Sequence, residues 1–234
     1  SSDVCSSDLA LLHRALGGQR MSRFSSTKIP TDTWITGSWD NYLQVLADLT
    51  DEKGKSYYYN HQMRIEISPV GNDHASDHNI VIYAVNLFAA IHNIDLNGKD
   101  NCTYRKTGVR EAQPDVSFYI GETAETIPWG TGIVDLEQYP PPTLVIEVAN
   151  TSLLDDKGNK RLLYEDLGVS EYWIIDVQNV EILAFAIRNQ GSYRIRESQV
   201  LSGLEIRLLE QAFQRTRLMN HGKVSAWLMQ QFQK

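Results

Sequence analysis

"TLVIEVANTSLLDDKGNKRLLYEDLGVSEYWIIDV", residues Thr143 to Val177, reads as one strand, one helix and a second strand. Val145, Ile146 and Val148 are β-branched and apolar, as buried strands require, and "EYWIIDV" has the same character. Between them Asp155 or Asp156 is placed to cap a helix running through Leu167, which Gly168 stops as a natural C′ residue. The odd member is Glu147. A carboxylate inside such a run must be paired, metal-bound or neutralised, or it costs several kcal/mol.

Outward from this segment the elements alternate. "SWDNYLQVLADLTDE" opens on Ser38, a cap candidate, with Tyr42, Val45 and Leu46 at helical spacing. Two alternating runs, Ser56–Tyr59 and Met63–Ser68, flank Asn60-His61 and read as a hairpin. Residues 73–93 form the strongest helix, with Ile80, Val81, Ala84, Val85, Phe88 and Ile91 as its apolar stripe. Strands are expected from Asn101 ("NCTYRKT") and Pro114 ("PDVSFYI"), with a long loop over residues 121–142 before Thr143. "VEILAFAI" follows a turn near Gln178-Asn179, "SYRIRESQV" offers a further strand, and helices at about 205–216 and 222–232 finish the chain. The expected class is mixed α/β around a central sheet.

The 234 residues suffice for one substantial core, and no Pro/Ser/Gly-rich linker divides them. Residues 21–234 are therefore read as a single domain. Residues 1–20 are set apart as a non-native or disordered segment: "SSDVCSSDL" repeats Ser-Ser-Asp without apolar period, and Met21 is a natural alternative start. The only cysteines, Cys5 and Cys102, permit no disulfide framework or cysteine metal site, which suits a cytoplasmic protein. No apolar run reaches the roughly 18 to 20 residues of a membrane-spanning helix. A formal charge of −7 argues against a protein that coats DNA nonspecifically, but leaves room for an enzyme with a local basic groove.

Pleat alternation puts Thr143, Val145 and Glu147 on one face, and Asp115, Ser117 and Tyr119 on one face of "PDVSFYI". If the two strands are neighbours, Asp115 and Glu147 share a face near one end. Converging carboxylates need a proton or a cation between them, and oxygen ligands suit Mg²⁺ or Mn²⁺. Plainer readings stand beside this one. An Asp after Pro is commonly a turn residue, and a strand can hide one salt-bridged glutamate.

"QPDVSFYI", followed by "PPTLVIEVANTSLLDDKGNKRLLYEDLGVSEYWIIDV", resembles the bacterial family of putative restriction endonucleases built on the PD-(D/E)XK nuclease fold. The similarity runs from about Tyr57 to Ile206 and includes "RIEISPVGNDH". It implies a restriction-endonuclease-like central mixed sheet flanked by helices, and a metal-dependent DNA-cleaving site with Asp115 and Glu147 at its acidic positions. The general motif places a lysine two residues after the second acid, where this chain has Ala149. The family's usual substitute is a lysine on the following helix, here Lys160, which shares a stripe with Leu163, Tyr164 and Leu167. A surface pairing of Lys160 with Asp156 is equally open, and Lys157 is the less favoured substitute or a substrate contact. Glu66 matches a position that would bring a further carboxylate, with a solvated strand glutamate as the plainer reading.

His74 and His78, four apart, would share a helix face as in zinc proteins, but no third ligand with suitable spacing is evident. His74 could instead approach substrate phosphate near the helix N-terminus. Cutting both DNA strands calls for two protomers or two visits. With "VEILAFAI" and "WIID" apolar on both faces, a homodimer through the C-terminal half is expected. The competing functional class is a nuclease-fold module that binds DNA or protein and cuts nothing. RNA or a mobile-element intermediate are other substrates.

Overall fold

The computed structural model describes residues 30–49, 54–67 and 70–234. The expectations for residues 1–20 and for a start at Met21 lie outside the described residues. Two six-stranded sheets organise the rest. One runs in the order β1 (Ile35–Thr36), β3 (Gln62–Glu66), β2 (Lys55–Tyr59), β6 (Arg110–Ala112), β5 (Tyr104–Lys106) and β8 (Val134–Asp135). The larger runs β12 (Gly191–Arg194), β11 (Glu181–Arg188), β10 (Glu171–Asp176), β9 (Leu144–Ala149), β7 (Val116–Ile120) and β4 (Leu96–Asp100). It is mixed: β9 and β10 are parallel, and its other pairs are antiparallel.

Alternation along β9 sorts its side chains cleanly. Leu144, Ile146 and Val148 join Val116, Phe118 and Ile120 in the main core, against α2 (Asn72–His92), α5 (Ile206–Thr216) and α6 (His221–Phe232). Val145 and Ala149 turn to the other face. They pack with Tyr57 and Ala112 from the smaller sheet and with Leu163 and Tyr164 of α4 (Asn159–Leu167). Glu147 lies on this second face, between the two sheets and α4. That placement makes its surroundings polar.

Local signals explain most of the elements. Ser38 caps α1 (Trp39–Asp48) through a reciprocal box with Asn41. Asn60 and His61 both adopt positive φ, the geometry of a tight primed hairpin turn between β2 and β3. Asn93 ends α2 in the left-handed region, and Gly168 does the same for α4. Three sequence expectations change. The helix read from Asp155 to Leu167 is two helices, α3 (Leu153–Lys157) and α4, parted at Gly158, where φ is −100° and ψ −108°. Asp156 is no cap but a buried member of α3. The strand expected from Asn101 begins at Tyr104 and pairs within the smaller sheet, while β4 takes the edge of the larger one.

Both apolar faces of "VEILAFAI" are covered within the chain. Ile182, Ala184 and Ala186 lie in the main core. Leu183, Phe185 and Ile187 are buried on the other face, where Arg161 and Arg194 stack over the Phe185 ring. A second copy is therefore not needed to cover this strand. Among the described residues no helix is long and apolar enough to cross a membrane.

Candidate active site

Strands β7 and β9 are neighbours, with Val116 opposite Ile146. That register, run one residue further, sets Asp115 beside Glu147. Both side chains are buried, Asp115 at 4% and Glu147 at 1% exposure, so each charge must be answered from within the protein. The Val148 N–H donates to Asp115 Oδ2 at 2.7 Å. The other oxygen faces Lys55 Nζ, in direct contact, and His74 Nε2 at 3.4 Å. Burial works to raise the Asp115 carboxyl, but Lys55 and His74 outweigh it and hold the group well below the usual carboxylate range.

Glu147 is answered differently. Its Oε1 accepts hydrogen bonds from Tyr164 at 2.7 Å and Tyr57 at 3.2 Å. The nearest cation, Lys160 Nζ, stands 3.8 Å from Oε2. Burial pushes the Glu147 carboxyl up to about 8, against the pull of Lys160 and Lys55, and the charges of Asp115 and Asp156 add to the rise. In the absence of a further cation Glu147 is thus largely protonated at neutral pH.

Lys160 is the centre of the cluster. It is 1% exposed and sits 3.0 Å from both Glu66 Oε1 and Asp156 Oδ1, with Tyr57 beneath the ammonium. Burial opposes its charge, but Asp156, Glu147 and Glu66 together hold its pKa well above the ordinary lysine value. Glu66 is no solvated strand residue: Lys160 and Arg64 overcome its burial and lower its pKa. Asp156 also receives a hydrogen bond from Ser152 at 2.6 Å. The break at Gly158 starts α4 afresh, and the Asp156–Lys160 pair bridges the two helices.

Asp115, Glu147, Lys160 and Glu66 therefore converge, and His74 reaches the same place through Asp115. Lys157 does not. It is exposed at the end of α3, and among the described residues it makes no ion pair with the cluster. Sequence reasoning missed Lys55 and Tyr57 and read Tyr164 only as a member of the Lys160 stripe. The signal for the first two was the period of two along β2, which puts Lys55 and Tyr57 on one face. For Tyr164 it was the i+4 spacing from Lys160. A surface cavity lined by Arg196, Glu197, Glu205, Ile206, Arg207 and Glu210 contains none of these groups.

The donor set suits a hard divalent ion. Two buried carboxylates lie side by side; Asp115 is paired with Lys55, while Glu147 faces Lys160 at 3.8 Å and burial pushes its carboxyl toward the protonated form.

Comparison with known proteins bears on the fold and the family. The family model described as "Putative restriction endonuclease" (Uma2) matches residues 39–220. A solved chain from Anabaena variabilis, described as a putative nuclease, shares the fold at a TM-score of 0.50 and 15% identity, over 82% of this chain and 98% of that one. No curated protein matches. With the matched region spanning both acidic strands, α4 and the hairpin that carries Lys55 and Glu66, this chain belongs to the Uma2 family of putative restriction endonucleases.

Proposed function

We propose that the protein is a divalent-metal-dependent DNA endonuclease that hydrolyses phosphodiester bonds. The observation that carries this reading is the buried pair Asp115 and Glu147 on adjacent strands, with the Lys160 ammonium 3.8 Å from the glutamate. Asp115 and Glu147 would hold Mg²⁺ or Mn²⁺. When bound, such an ion polarises a phosphoryl oxygen and acidifies water.

The remaining roles belong to the protein's own groups. Lys160 supplies a fixed positive charge where negative charge develops on the phosphorus substituents. Glu66 and Asp156 each hold that ammonium at 3.0 Å, so its aim is set before substrate arrives. Tyr164 and Tyr57 orient the Glu147 carboxyl. His74, in the first turn of α2, and the exposed Lys157 are placed to meet backbone phosphates. The cytoplasm and a homodimer, formed through a surface other than the covered β11 faces, complete this reading.

A second reading has an observation of its own. Lys55 already occupies Asp115, and Ala149 stands where the general motif has lysine, as a DNA- or protein-binding module without activity would allow. Supercoiled plasmid incubated with the protein in Mg²⁺ or in EDTA separates the two. Nicked or linear product in Mg²⁺ alone, absent with Glu147→Gln, supports the endonuclease. Intact plasmid in both Mg²⁺ and Mn²⁺, with bound plasmid retained on a gel, supports the module; light scattering reports the oligomer in the same samples.

A further inference from the structure

Residues His74 and His78 occupy the first two turns of α2, with ring centroids 6.0 Å apart. Spacing four along a helix puts both imidazoles on one side, and that side faces the start of β7. One ring nitrogen from each histidine and one oxygen of Asp115 all lie within 4.8 Å of one another. His74 Nε2 is 3.4 Å from Asp115 Oδ1. That is about the separation of two ligands on one ion with bonds of about 2.0 to 2.1 Å. His78 Nε2 is buried and makes no hydrogen bond; the nearest carboxylate oxygen, on the largely exposed Asp100, is 3.3 Å away. Asp100 ends β4 beside the same strand, so a further oxygen donor borders the cluster from the solvent side.

We propose that His74, His78 and Asp115 form a nitrogen-rich cation position, distinct from the oxygen pair Asp115–Glu147 but sharing Asp115 with it, that takes a borderline transition metal such as Co²⁺ or Zn²⁺. Imidazole nitrogen favours these ions, whereas Mg²⁺ prefers all-oxygen surroundings. The inference rests on the nuclease reading only through the shared aspartate. The Lys55 ammonium stands against Asp115, and it must swing aside for the ion to bind. Its side chain is 19% exposed, on the second strand of the smaller sheet, and a four-carbon stem permits that movement.

Titration with Co²⁺, followed by its visible ligand-field absorption, and low-temperature pulsed electron paramagnetic resonance of the bound Co²⁺ for nitrogen coupling test the site. Wild type is expected to bind one Co²⁺ and to show nitrogen coupling. The double variant His74→Ala/His78→Ala should lose more than the roughly 10- to 100-fold in affinity that removal of an outer-shell partner costs, while alanine maintains the helix. Lys55→Met, which removes the competing ammonium, should bind Co²⁺ more tightly. Glu147→Gln should keep the nitrogen-coupled ion. Equal Co²⁺ affinity in wild type and the double variant, or oxygen-only coordination in wild type, overturns the site. Plasmid cleavage in Mg²⁺ alongside that negative result would leave the nuclease reading standing. Nitrogen-coupled binding in a protein that cuts nothing would do the reverse.

Discussion

Replacing Glu147 with glutamine should stabilise the metal-free protein, by an amount that grows with pH. The carboxyl titrates near its ordinary value of 4.5 in the unfolded chain and at about 8 in the folded one. Between those limits the native state binds the extra proton, so wild-type stability falls as pH rises through this window and levels above about pH 8. At about 1.4 kcal/mol per pH unit, the loss accumulated by pH 7 is about 3 kcal/mol. Glutamine keeps the shape and still accepts the Tyr164 hydrogen bond, yet does not titrate. The variant should therefore match wild type near pH 4, exceed it by about 1 kcal/mol at pH 5 and about 3 kcal/mol at pH 7, and hold the largest margin above pH 8. For a protein of this size that corresponds to roughly 6 to 12 °C in Tm at pH 7. Urea unfolding in EDTA at pH 5, 7 and 8.5 measures the difference directly. A variant less stable than wild type by a constant amount at all three pH values would show that Glu147 is an ionised partner of Lys160, and would refute the reasoning.

Asp115→Asn should behave in the opposite sense. Its folded carboxyl lies far below its ordinary value, so its stabilisation is present above about pH 4 and fades as pH falls; Asn should cost about 1 to 3 kcal/mol at pH 7 and progressively less in acid, measured by the same titrations. Lys160→Met leaves Glu66 and Asp156 without their shared cation, and a loss of about 3 to 5 kcal/mol is expected in urea. In cleavage assays the same variant should lose turnover while plasmid binding on gels changes little. Arg217→Ala strips the bidentate partner from the fully buried Asp77, which joins α2 to the end of α5; the melting temperature should drop by an amount corresponding to about 3 kcal/mol, with divalent-ion affinity unchanged.

The acidic pair was legible because alternation in β7 and β9 is strict: one apolar face commits each strand to a register, and Asp115 and Glu147 are left together on the other. Lys160 was legible from the helical stripe it shares with Tyr164. The division into two sheets was not, since "NCTYRKT" carries no mark of which sheet it will join. The break at Gly158 was hidden because residues 155–161 around it are all polar or glycine and carry no apolar period that a break could interrupt. Lys55 lies 60 residues from Asp115, and a lysine at a strand start gives no local sign of its partner. The same distance hid the companion of the histidine pair: spacing along α2 sets two imidazoles on one face, but only tertiary packing brings Asp115 to them.

Anomalous diffraction from crystals soaked in Mn²⁺, recorded at the manganese edge, tests the central claim most directly. The account predicts a peak between the Asp115 and Glu147 carboxylates, about 2.1 to 2.3 Å from an oxygen of each, with Lys55 moved off Asp115 and no such peak in Glu147→Gln crystals. Lys55 still on Asp115 and no manganese at Glu147, in crystals with the ion bound elsewhere, would contradict it.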